Sequence, residues 1–138
     1  MVCPYCSAKT DVVNSRPQKR LNQVWRRRHC SNCGATFSSI EGPAYDTVWR
    51  VKTAQGTLAP FQKNKLFLSV YKALEHREHA IDDATALVDT IVSQLRQQNT
   101  SAILEVSIIT QTAHQVLQNF DTAGAVHYQA FHPLKKQP

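Results

Sequence analysis

Four cysteines, all within the first 33 residues, arranged as Cys3-x-x-Cys6 and Cys30-x-x-Cys33, constrain this chain more than any other feature. Two residues between thiols let the backbone fold back so that both sulfurs face one ion, and two such pairs supply the four soft ligands of a tetrahedral zinc site. A redox dithiol is the main rival, but that chemistry uses one pair at the start of a helix in a βαβ setting, which neither pair has. Catalytic zinc fits less well, because four thiolates leave no open position for water. Gly34, directly after the second pair, can take the positive φ that a tight knuckle needs; the first pair is followed by Ser7. One structural zinc held by Cys3, Cys6, Cys30 and Cys33 is therefore expected. Forty-odd residues with few bulky apolar side chains cannot bury enough surface to fold alone, so metal binding and folding should be one event.

After "SSIEGPAY" no further cysteine occurs, which places a boundary between Gly42 and Tyr45. Before it, "TDVVNSR", "QVWRRRH" and "ATFSSIE" read as three short strands, broken by "RPQK" and by the second cysteine pair. After it, Thr47–Lys52 and Thr57–Ala59 read as a hairpin closed by "AQG". Three amphipathic helices follow by periodicity. Leu66, Phe67, Val70, Tyr71 and Leu74 mark the first, and Leu87, Val88, Ile91, Val92 and Leu95 mark the second, with Asp82 and Asp83 as capping candidates. Ile109, Ala113, Val116, Leu117 and Phe120 mark the third, with Ser107 as its cap, and its apolar face is either core or an oligomer seam. A fourth short helix is expected from Asp121, with "HPLKKQP" as a frayed tail. The expected fold class is thus α+β in two small domains: a three-stranded zinc ribbon at 1–43, and a mainly helical domain with an N-terminal β-hairpin at 46–134.

Charge is unevenly placed along the 138 residues. Residues 1–45 hold seven Lys/Arg against two Asp/Glu, so most of the net +6 belongs to the N-terminal third and points to a polyanionic partner there. A four-thiolate zinc centre would offset part of this field. If Val24–His29 is a strand, Arg26 and Arg28 project to one face, and Trp25, Arg27 and His29 to the other. The bland reading is a solvated strand, with Trp25 as core packing. The functional reading adds Arg16, Lys19 and Arg20 from a preceding loop, forming a patch that offers guanidinium forks to phosphates or guanine edges.

"CPYC", "VVNSRP" and "WRRRHCSNCGATFSSIE", followed by a hairpin and four helices, resemble the NrdR-type transcriptional repressors of ribonucleotide reductase genes. That family joins a zinc ribbon to an ATP-cone, and "VKTAQGTLAPFQKNKL" with "NFDTAGAVHYQAFH" is similar to ATP-cones more broadly. The resemblance implies that Arg16 and Arg26 to Arg28 contact double-stranded DNA. It also implies that ATP or dATP, the effector, binds the cone and changes the homo-oligomeric state. Val51, Lys52 and Lys65 are the candidate nucleotide-binding residues; with no glycine-rich phosphate loop, side chains must neutralise the triphosphate. Asn14 stands where the family usually has an acid, Thr36 where it has arginine and Ile40 where it has tyrosine. In the hairpin, Thr53 replaces an arginine and Ala59 a glutamate, so two polar groups of the nucleotide site are missing.

His76 with His79, and His127 with His132, lack the convergent ligands of a metal site and are read as exposed helix residues. With every cysteine committed to zinc, no thiol or radical chemistry remains, and a chain that is not an enzyme is expected. No run reaches the ~20 apolar residues of a membrane span and the N-terminus has no apolar signal core, so no membrane partner and a cytoplasmic location are expected. The reading that follows is a zinc-dependent, nucleotide-responsive repressor. Its rival is an interaction module that regulates a protein or RNA partner.

Overall fold

In the computed structural model, which describes residues 1–134, the chain divides into units spanning Met1–Pro43 and Ala44–Pro138. The last four residues of the expected tail lie outside the described residues.

The first unit is an antiparallel sheet in the order β1-β2-β3, with β1 at Asp11–Gln18, β2 at Gln23–His29 and β3 at Thr36–Glu41. The three expected strands form, but "RPQK" does not end the first one. β1 runs on through Arg16 and Pro17, so Arg16 is a strand residue and not part of a loop. Proline is tolerated here because β1 is an edge strand, where a missing N–H need cost no ladder bond. Lys19–Leu21 form a single 3-10 turn that ends at Asn22, whose φ of 51° turns the chain back into β2. The buried residues of this unit are Cys3, Thr10 and Cys30. Trp25, read as a core residue, is only half-buried, because the first unit has no second layer of its own among the described residues.

In the second unit, the stretch expected as a strand from Thr47 begins instead as a helical turn, α1 (Tyr45–Val48), followed by β4 (Arg50–Lys52). The helical turn places Tyr45 and Trp49 one turn apart, where their rings stack with centroids 4.8 Å apart; Trp49 also meets Phe61 edge-on at 5.5 Å. β5 (Leu58–Pro60) pairs antiparallel with β4. The turn between them uses Gly56 at φ 84°, and the Thr53 and Thr57 hydroxyls lie 2.6 Å apart across its mouth.

α2 (Lys63–Ala73), α3 (Ala80–Gln98), α4 (Val106–Phe120) and α5 (Thr122–Phe131) complete the unit. Leu87, Val88, Ile91, Val92 and Leu95 of α3 are all buried, as their spacing requires. They pack in one cluster with Val70 of α2, Leu117 of α4 and Tyr128 of α5. α3 starts at Ala80, so Asp82 and Asp83 are first-turn residues and not caps. There they complement the helix dipole, and Asp83 also accepts a hydrogen bond from Arg77 Nε at 2.7 Å. α4 starts one residue before Ser107, with Glu105 at the cap position. Phe120, expected on the buried face of α4, is 42% exposed and lies under the Arg77 guanidinium, 4.6 Å from its ring centroid. Asp121 does cap α5, its Oδ1 accepting from the Gly124 N–H at 2.9 Å.

One element was not legible in the sequence. β6 (Ile103–Glu105) pairs parallel to β4 and makes the sheet order β5-β4-β6, with Leu104 fully buried. Among the described residues no helix is long and apolar enough to cross a membrane.

Candidate metal centre and nucleic-acid interface

The two cysteine pairs sit in matching turns. Ser7 N–H donates to Cys3 C=O and Gly34 N–H to Cys30 C=O, while Cys3 N–H donates to Ala8 C=O and Cys30 N–H to Ala35 C=O. Both turns pass through the left-handed region, at Ser7 (φ 60°) and Gly34 (φ 74°). These turns bring all four sulfurs within 4.8 Å of one another, with Cys3 to Cys33 at 3.7 Å and Cys6 to Cys30 at 3.5 Å. Four sulfurs held about 2.3 Å from a tetrahedral zinc stand about 3.8 Å apart, so the two short separations match the spacing that ion requires.

The protonation chemistry agrees. Asn32 Nδ2, 3.5 Å from Cys6 Sγ, and the Ala8 backbone bring the Cys6 thiol down to about 6. At Cys33 the Ala35 backbone pulls downward, but the neighbouring sulfurs, Cys6 first, win and push the thiol up to about 12. Crowded thiols of this kind cannot all ionise without a cation among them. Asn32 had not been singled out in the sequence; its place inside the second Cys-x-x-Cys pair was the available signal.

Above this centre, β2 carries its arginines in strict alternation. Register places Arg26 opposite Ser15 and Ser39, and Arg28 opposite Val12 and Phe37, on one face. Arg27 lies opposite Asn14 and Ser38, and Trp25 opposite Arg16 and Ile40, on the other. On the first face, Arg26 donates to Ser15 Oγ at 2.7 Å and to Glu41 Oε2 at 3.4 Å, and Arg28 Nε donates to Ser39 Oγ at 3.0 Å. On the second, Arg27 is exposed and donates to Thr36 Oγ1 at 3.2 Å. The Arg16 guanidinium lies over the Trp25 ring, 5.9 Å from its centroid. The expected single patch is therefore divided: Arg26 and Arg28 share one face, while Arg16 joins Arg27 on the opposite one. Lys19 and Arg20 stand on the turn between β1 and β2. Asn14, Thr36 and Ile40, the three departures from the resembled ribbon, all fall on the Arg27 face.

In the second unit a groove of about 260 Å³ is lined by Val51, Thr53, Ala59, Lys65, Tyr128 and His132 among others. It thus gathers two of the three candidate nucleotide residues with both altered hairpin positions. Lys52 lines a neighbouring groove that shares Val106 and Thr110 with the first. It pairs there with Glu105 at 3.7 Å. Burial pushes the Tyr128 phenol up to about 12 and lowers His132, in each case favouring the neutral ring. The histidines pair differently from their sequence spacing. His76 Nε2 lies 3.1 Å from Asp121 and its ring 5.9 Å from that of His127, while the His132 ring lies tilted against Tyr128 with centroids 4.5 Å apart.

Residues 1–41 match the family described as the N-terminal domain of transcriptional repressor NrdR-like proteins, a zinc ribbon. The similarity continues through the second unit. A protein named transcriptional repressor NrdR from Natronomonas pharaonis is 30% identical over 139 residues, covering 100% of this chain and 85% of the relative. Proteins of the same name from Ligilactobacillus salivarius (30%) and Syntrophotalea carbinolica (31%) each align over 129 residues, 93% of this chain and 81% of the relative. All three relatives are named as repressors and none as an enzyme.

Proposed function

Because the chain belongs to the NrdR family of transcriptional repressors, we propose that its zinc-loaded ribbon grips operator DNA upstream of ribonucleotide reductase genes, under the control of ATP or dATP. The observation that carries this reading is the four-sulfur cluster at the root of a sheet that holds Arg16 and Arg27 exposed on one face. Zinc would supply no chemistry to a substrate; it would fix two knuckles and hold the sheet in one shape. The chain's own part is electrostatic. Guanidinium groups release counterions from the phosphate backbone, so affinity should fall steeply with salt.

The second unit would receive the nucleotide between Val51, Lys65 and Lys52. The exposed Lys52–Glu105 pair is worth at most about 1 kcal/mol, so a phosphate group can exchange for the carboxylate. Bound nucleotide would then change the homo-oligomer and with it the number of ribbons that one operator engages. A cytoplasmic location belongs to the same proposal.

The experiment is a salt titration of binding to a duplex carrying a reductase promoter, with zinc-loaded protein and each nucleotide in turn. A log-log slope of about −4 is expected if four to five phosphates are neutralised. Affinity that stays flat with salt would remove the electrostatic reading. Sedimentation that is unchanged by ATP and by dATP, with no heat of binding, would remove the nucleotide control.

A further inference from the structure

Arg26 and Arg28 are spent within the ribbon, while Arg27 and Arg16 are presented outward from the opposite face. Arg26 bridges all three strands, reaching Ser15 on β1 and Glu41 on β3 from its place on β2. Arg28 ties β2 to β3 through Ser39. Both side chains are half-buried, and Glu41 neutralises part of the charge on this face. For a sheet without a core of its own, such cross-strand hydrogen bonds replace the packing that another layer would give.

The opposite face is organised differently. Asn14, Arg27 and Ser38 form one row across the three strands, and Arg16, Trp25 and Ile40 form the next. Asn14, Arg16, Arg27, Ser38 and Ile40 are all exposed, and Trp25 supports the Arg16 guanidinium from below. These are the groups that read base edges: a guanidinium fork for guanine, an amide for adenine and an aliphatic side chain for the thymine methyl. Three strands about 4.8 Å apart span about 10 Å, which a major groove about 12 Å wide can admit.

Building on the DNA-binding reading above, we propose that the Asn14–Arg16–Trp25–Arg27–Ser38–Ile40 face is the surface that enters the major groove of duplex DNA. Arg27 is its principal base reader, and Arg26 and Arg28 are strand cross-links on the far side that never meet the duplex. Of three consecutive arginines, only the middle one carries sequence preference.

The test uses the full, zinc-loaded chain and two labelled probes: a duplex selected by the wild type from a randomised pool, and an unselected duplex of mixed sequence. Arg27→Ala should weaken binding to the selected duplex by about tenfold or more at constant fold and zinc content. Arg27→Lys should keep most of the affinity for the unselected duplex while narrowing the gap between the two probes. Arg26→Gln and Arg28→Lys, chosen to keep a donor near the serines, should bind both probes within about twofold of wild type, yet melt at lower temperature. A Trp49→Phe background leaves Trp25 as the single tryptophan, and its emission should change when duplex is added. Arg27→Ala binding like wild type, or loss of both probes by a folded, zinc-loaded Arg26→Gln or Arg28→Lys, would overturn the assignment. A wild-type chain that retains no duplex at all would overturn the DNA-binding reading itself, and the face assignment with it.

Discussion

Ser7 and Gly34 occupy equivalent positions in the two knuckles, at φ 60° and φ 74°, yet only one of them is a residue suited to that backbone. A side chain in the left-handed region costs roughly 1–2 kcal/mol. Nothing lies within 4 Å of a Cβ built on Gly34, so backbone strain is the whole penalty there. Gly34→Ala should therefore weaken zinc retention by about 1 kcal/mol, and Ser7→Gly should shift it the other way by a smaller amount. Competition with a chromophoric chelator measures both. In the second unit, Asp121 is a residue whose ionisation contributes to stability. The Gly124 N–H, then Arg77 and His76, hold its carboxyl at about 2, against 3.8 in an unperturbed chain. A depressed carboxylate pKa contributes stability that is complete above the unfolded value and disappears as pH falls from there towards the folded one. Asp121→Ala should thus cost about 1 kcal/mol at neutral pH through the lost cap, and should flatten the stability curve between about pH 4 and 2. Urea unfolding across that range shows either result.

At the scale of elements, what the sequence disclosed depended on how local the cause was. α3 carries its periodicity in its own residues, and all five marked positions are buried. Strand alternation likewise placed Arg26 and Arg28 together, but their serine partners depend on register across the sheet, set for Ser15 by the turn through Lys19–Leu21 and for Ser39 by the pairing of β2 with β3, neither of which alternation announces. The same holds for β6. Three residues leading into a helix give no period of their own, and their strand state comes from parallel pairing with β4, some fifty residues away in the chain. Arg16 was misplaced for the opposite reason: Pro17 is a strong local breaker, and only its position on an edge strand removes the cost. The clustering of Cys3, Cys6, Cys30 and Cys33 was legible because chelating pairs fix their spacing directly in the chain, while the partition of the groove residues around Val51 and Lys52 was not. The non-local element also sets a prediction. Leu104 is fully buried whereas its neighbour Ile103 is 43% exposed. Leu104→Ala should cost about 2–5 kcal/mol, and Ile103→Ala much less, in chemical unfolding of the full chain.

Across the whole molecule, two units with different sources of stability share one chain. The first buries only Cys3, Thr10 and Cys30, too little to fold on, so a metal held by its four cysteines is the expected source of its folding free energy; the second has a core drawn from four helices and a strand. Two-state behaviour is therefore not expected of the chain as a whole. A thermal scan should show two transitions that respond to different ligands. Stripping zinc with a strong chelator should abolish the first and collapse the amide dispersion of residues 1–43, while the helical circular dichroism survives, because every α-helix lies beyond Pro43. Adding nucleotide at a hundred times its dissociation constant should stabilise the second unit by about 2.7 kcal/mol. For a domain of this size that amounts to an upward shift of roughly 10–20 °C. The zinc-dependent transition should stay where it was. If chelation unfolds the helices too, the second unit leans on the ribbon for its stability. If nucleotide instead moves the zinc-dependent transition, the two units are thermodynamically coupled, and that coupling is then the quantity through which an effector acts on DNA binding.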